Sequence, residues 1–170
     1  MTSNIVNRNL GILVAACVVG WYSSTFFFLL LFPSLLIYWL ARRFLSPKAA
    51  TYAISIAAQS AQVAVSTAFL PVLFSRIQVP INLLGLMVDT VVPITGLVWL
   101  VIKPGLKPVV FLSVFQVSML VFNGYVGLQL PIGDSQHKAV VAHIFWRVEA
   151  LIAMWSSLMN YEPSNAKTIA

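Results

Sequence analysis

The sequence predicts an all-α fold: a polytopic transmembrane helix bundle of about five membrane-spanning helices, organised as a single multi-pass membrane domain over residues 1–170. Three observations carry this. Of 170 residues, 60% are hydrophobic and only 8% are charged, where a soluble domain carries about 25% charged residues. The mean hydropathy is +0.93. The apolar residues gather into five long segments separated by short polar or basic stretches. So few charges cannot cover a water-facing surface, and that much apolar area left in water aggregates. In lipid each segment must satisfy its own backbone hydrogen bonds, which makes each a helix.

The segments run over about residues 10–41, 50–74, 81–102, 109–130 and 139–159. A span needs about 20 residues, so the first is too long for one crossing and too short for two. Trp21 and Tyr22 mark one headgroup belt, and Tyr38, Trp39, Arg42 and Arg43 mark the other. Trp21 to Ala41 then spans the bilayer, with Pro33 as the expected kink. Leu10 to Val19 is surplus: it extends a tilted helix, lies along the interface, or packs on another membrane subunit. Lys103-Pro104-Gly105-Leu106-Lys107-Pro108 reads as a tight turn that makes segments three and four an antiparallel hairpin.

Charge sets the expected sidedness. The formal net charge is +6. If all five segments cross, Arg42, Arg43, Lys48, Lys103, Lys107 and Lys167 share one side, and Arg8, Arg76 and Lys138 share the other. Cytoplasmic loops carry the excess of Lys and Arg. The expectation is therefore a plasma or bacterial inner membrane, with the N-terminus outside and the C-terminus cytoplasmic. Cations scattered singly or in pairs between apolar segments do not form a nucleic-acid footprint, so nucleic acid is not an expected partner. The bilayer and other membrane subunits are.

Polar residues inside the segments are the candidate functional ones. In segment two, Ser55, Gln59, Gln62 and Ser66 fall on one face. With Gln116 and Asn123 of segment four, which stand two turns apart, they form a polar seam between helices. The alternative is one wall of a polar cavity. Segment three holds Asp89, with Pro93 four residues on freeing a backbone carbonyl beside the carboxylate. This is either a cation or water site or an ion pair that fixes packing. Segment five holds His143, Arg147 and Glu149, with His143 and Arg147 sharing a face and Glu149 about 200° round from Arg147.

Depth sharpens the expectation. Asp89 and Arg147 each lie about eight residues below the outer end of their segments, or about 12 Å down. An intramembrane ion pair between Asp89 and Arg147, on neighbouring helices, lowers the cost of both charges. Glu149 is then the intramembrane charge without a partner. Glu149, His143 and Asp89 form a candidate proton or ion site, since histidine titrates near neutrality.

Chemistry is otherwise sparse. The single cysteine, Cys17, excludes an internal disulfide and a thiolate metal cluster. His137 and His143, six apart, cannot share one metal on one helix face. No phosphate loop, catalytic triad or cofactor motif is present, and Asp134 sits in a turn, where Asp is at home. No catalytic residue, metal or cofactor is expected. The chain reads as a non-catalytic subunit or assembly factor of a larger membrane complex. The alternative is a small proton-coupled transporter using Asp89, His143, Arg147 and Glu149.

Overall fold

The computed structural model describes residues 18, 21–22, 25–64, 67 and 83–166. Among them every regular element is a helix and none is a strand. The order is α1 (Thr25–Phe44), α2 (Pro47–Ala50), α3 (Ala53–Ala64), α4 (Leu83–Ile102), α5 (Leu106–Gln129) and α6 (Ser135–Ala166).

The helix ends follow local chemistry. Arg42 and Arg43 occupy the last turn of α1, where cations meet the negative end of the dipole. Ser46 caps α2 by accepting a hydrogen bond from the Ala49 amide at 3.3 Å, and Pro47 stands at the first helical position. The expected second segment, continuous from Ala50, is thus broken: a turn at Thr51 and Tyr52 separates α2 from α3. Gly105 makes the turn into α5, with φ 156° and ψ −168°, a conformation that side chains disfavour. That turn is tighter than expected, because Pro108 sits inside the first turn of α5, where its missing N–H costs nothing. Asp134 accepts from the Gln136 amide at 3.3 Å and caps α6. The fifth helix therefore starts at Ser135, four residues before its apolar stretch, and it continues to Ala166. Pro33 and Pro93 lie inside α1 and α4 as read from sequence.

Helix α3 is central. It packs on α1, α4 and α6, while α5 packs on α4 and α6. The helices α3, α4, α5 and α6 form a ring, with α1 outside it against α3. Alanines 53, 57, 58 and 61 are buried on α3 and let its neighbours approach closely. Gly96 does the same between α4 and α5: a Cβ there would stand 2.7 Å from Leu112 Cγ and 3.1 Å from Phe111 Cδ1. The apolar core gathers at one end of the ring around Tyr52, Ile56, Leu100, Leu112 and Met154.

Against five expected spans, two helices among the described residues are long and apolar enough to cross a bilayer, Leu106–Gln129 and Ser135–Met159. A third apolar stretch, Met87–Ile102, is shorter. The turn at residues 51–52 sets the start of α3, which is described over 12 residues, Ala53–Ala64. Of the surplus stretch Leu10–Val19, all but Val18 lies outside the described residues, as do Ser66, Asn82, Arg8, Arg76 and Lys167.

Candidate functional site

The polar side chains converge inside the ring. Arg147 of α6 is 1% exposed. Its Nη2 stands 2.5 Å from Asp89 Oδ1 on α4, and its Nη1 donates to Gln116 Oε1 on α5 at 2.7 Å. The Gln116 amide nitrogen donates in turn to Gln59 Oε1 and Gln62 Oε1 on α3, both at 2.6 Å. One chain of hydrogen bonds thus touches all four helices of the ring. It spans both diagonals: α4 to α6 through Asp89 and Arg147, and α3 to α5 through the three glutamines.

The helices that carry Asp89 and Arg147 are therefore not packed neighbours, as sequence spacing led us to expect. They face each other across the ring, and the length of the arginine side chain closes the gap. Burial alone does not order so long a side chain. The guanidinium is held in the plane by its two acceptors, and its Cζ lies 5.6 Å from the centre of the Phe115 ring.

His143, one turn before Arg147, is also buried, and its Nε2 lies 3.9 Å from Asp89 Oδ2. That is an electrostatic contact but too long for a hydrogen bond. Below the cluster the seam continues. Gln59 Nε2 reaches Met154 Sδ at 3.5 Å, and Ser55 Oγ meets Ser157 Oγ at 3.1 Å. On the other flank Trp155 Nε1 donates to Ser113 Oγ at 3.1 Å.

Comparison with protein-family models, with curated proteins and with solved structures finds no match.

The structure brings together Ser55, Gln59, Gln62, Asp89, Gln116, His143 and Arg147. Asn123 is buried two turns beyond Gln116, with its Nδ2 unpaired among the described residues. Glu149 is not part of the cluster. It is half-buried at the rim of α6, and no hydrogen bond or ion pair reaches it among the described residues. Of the three residues of the expected proton site, His143 and Asp89 come together and Glu149 stands apart from them. Sequence reasoning missed Phe115, Met154, Trp155 and Ser157. Of these only Ser157, a polar residue in an apolar run, carries a signal in the sequence.

Among the described residues, three buried donor or ring nitrogens beside the cluster have no hydrogen-bond partner: Gln62 Nε2, His143 Nε2 and Arg147 Nε. Buried polar atoms in this state are sites for internal water. No group of three or more metal-ligating side chains occurs among the described residues. Chemically, the arrangement fixes a cation against a carboxylate and ties four helices together.

Proposed function

We propose that this chain is an integral membrane protein acting as a non-catalytic subunit or assembly factor of a larger membrane complex. The proposed setting is a plasma or bacterial inner membrane, with the N-terminus outside and the C-terminus cytoplasmic. The observation that carries the reading is inverted polarity. Arg147 and Gln116 are 1% and 0% exposed, while Phe32, Val121 and Leu128 are 72%, 71% and 89% exposed. A water-soluble chain would reverse that order, and in lipid it lets the charges face protein while apolar side chains face acyl chains. The two long apolar helices support the same reading, and a bundle of about five spans belongs to it.

The subunit role rests on how the charges are used. Asp89, Arg147, Gln116, Gln59 and Gln62 spend their strongest contacts on one another, which makes them a tie between helices. Glu149 is the exception, a mid-helix carboxyl turned to the rim. Solubilised in a mild non-ionic detergent and run on a native gel, the chain should migrate well above its own detergent-bound mass. A single chain that is stable, monodisperse and active by itself would overturn the reading.

One observation favours a second reading. The unpartnered nitrogens of Gln62, His143 and Arg147 around the ion pair fit a hydrated interior, and ionisable groups on water inside a membrane mark proton pathways. As a small proton-coupled transporter, the chain would lose proteoliposome proton flux on Asp89→Asn and on Glu149→Gln. Flux unchanged in both removes this reading.

A further inference from the structure

We propose that Glu149 and the apolar strip beside it form a docking face for a transmembrane helix of another polypeptide that carries a single arginine or lysine near the bilayer centre. The inference rests on the subunit reading and names the chemistry of the partner.

The depth of Glu149 comes first. It lies 14 residues into α6, so about 21 Å from the start of that helix. The apolar stretch Ser135–Met159 has 25 residues, or about 37 Å in all. Glu149 is thus near the middle, beyond the reach of either headgroup layer. A carboxyl group there is expensive unless it meets a donor or a counter-charge.

The donor does not come from the described residues of this chain. The buried arc of α6 is lined by Ala142, His143, Trp146, Arg147, Ala150, Ala153 and Met154. At 100° per residue Glu149 falls at the border of that arc, on the side away from Arg147 and α5. Beyond it lie Val148, Ile152 and Met159, which are 40%, 39% and 60% exposed. A carboxyl beside an apolar, outward-facing strip has the composition of a membrane helix contact with one polar anchor.

A second copy of this chain does not supply the counter-charge from those residues either. Arg147 is the only cation near this depth among them, and it is enclosed by Asp89 and Gln116. Arg42, Arg43, Lys48, Lys103, Lys107 and Lys138 all stand at helix ends or in turns. With no free cation at this depth among the described residues, charge complementarity points to a different polypeptide with a basic residue in its span.

The test uses the full chain, donor-labelled and reconstituted in phosphatidylcholine vesicles. The probes are acceptor-labelled synthetic Leu/Ala helices with Arg or Leu at the central position. The Arg helix should associate with the wild type about tenfold more tightly than the Leu helix, by energy transfer. The Glu149→Leu chain should lose that preference, and Glu149→Gln should keep part of it through its amide. Equal association of both helices with the wild type overturns the proposal, as does a preference that survives Glu149→Leu. Association between labelled copies that disappears in Glu149→Leu also overturns it, because the occupant would then be a second copy.

Native gels on membranes separate the two levels. If the wild type itself runs as a single chain, the subunit reading fails. If wild type and Glu149→Leu both run in a large assembly and the Arg helix shows no preference, only the docking face fails.

Discussion

At the scale of single residues, the buried pair and its glutamine bridge make opposite demands on a mutation. Removing one member of a buried ion pair strands the other, which costs about 3–5 kcal/mol in general. Asp89→Leu leaves the Arg147 guanidinium with the Gln116 acceptor and the Phe115 ring but no counter-charge, and Arg147→Met takes the guanidinium away from the Asp89 carboxylate. Each single variant should lose stability on that order. Asp89→Leu/Arg147→Met should lose far less than the sum, since no charge is then stranded. The check is retained helicity as SDS is titrated into mixed micelles; strict additivity of the two single effects would show that the contact is not coupled. Gln116 is a second pivot. It gives one acceptor to Arg147 and one amide to two other glutamines, so Gln116→Leu disturbs three buried groups at about 1–3 kcal/mol for each left unsatisfied. Asn123 is also buried but its Nδ2 has no partner among the described residues, so Asn123→Leu should change stability by less than about 1 kcal/mol or raise it. Equal losses in the same titration would remove the distinction between a bridge and a bystander.

At the scale of elements, close approach between helices rests on a few small side chains. Gly96 sits on α4 where α5 brings Leu112 and Phe111 against the backbone. Gly96→Leu gains helix propensity of about 1 kcal/mol, but it drives a branched side chain into an occupied space, and overpacking of this kind costs about 1–3 kcal/mol. The expected outcome is a net loss on SDS titration. A cysteine pair across α4 and α5 near this level should also cross-link more slowly in the variant than with Gly96 intact; unchanged stability and unchanged cross-linking would mean the helices do not meet there. The helices themselves, and the face that Ser55, Gln59 and Gln62 share, are legible in the sequence because apolar length and a 100° turn per residue determine them. Counting residues from the segment starts also puts Asp89 and Arg147 at one depth. What the count could not give is the ring order, because whether two helices are neighbours or opposite depends on packing that no local pattern records. The same holds for Phe115 and Met154, apolar residues that become partners of the cluster only through tertiary contact. Helix ends were misread where polar chemistry rather than hydropathy decides them: Asp134 caps α6 four residues early, and Pro108 sits inside α5 instead of ending its turn.

At the scale of the whole molecule, the two ends of the bundle differ in charge, and that difference carries an orientation. At one end the Tyr22 hydroxyl lies 2.7 Å from His137 Nδ1 and accepts from the Gly133 amide at 3.2 Å, so Tyr22 is clipped to the turn between α5 and α6 and the first turn of α6. Lys138 stands over the Tyr22 ring and is the one described Lys or Arg at this end. At the other end α2 packs against α4, and Arg42, Arg43, Lys48, Lys103 and Lys107 are all exposed in the turns and helix ends there. Under the proposed membrane reading, five described cations against one predict that the second end faces the cytoplasm, by the bias of short loops. Single cysteines in a Cys17→Ser background test this. Ile132 is 88% exposed in the turn beside Gly133, and Leu106 is 50% exposed at the start of α5. In intact cells a membrane-impermeant maleimide should label Ile132→Cys, and it should reach Leu106→Cys only after permeabilisation. The reverse pattern would invert the molecule in the bilayer while leaving the ring and its cluster unchanged. Labelling of both sites from one side would show that α5 does not cross, and with it the bilayer reading of this bundle would fall.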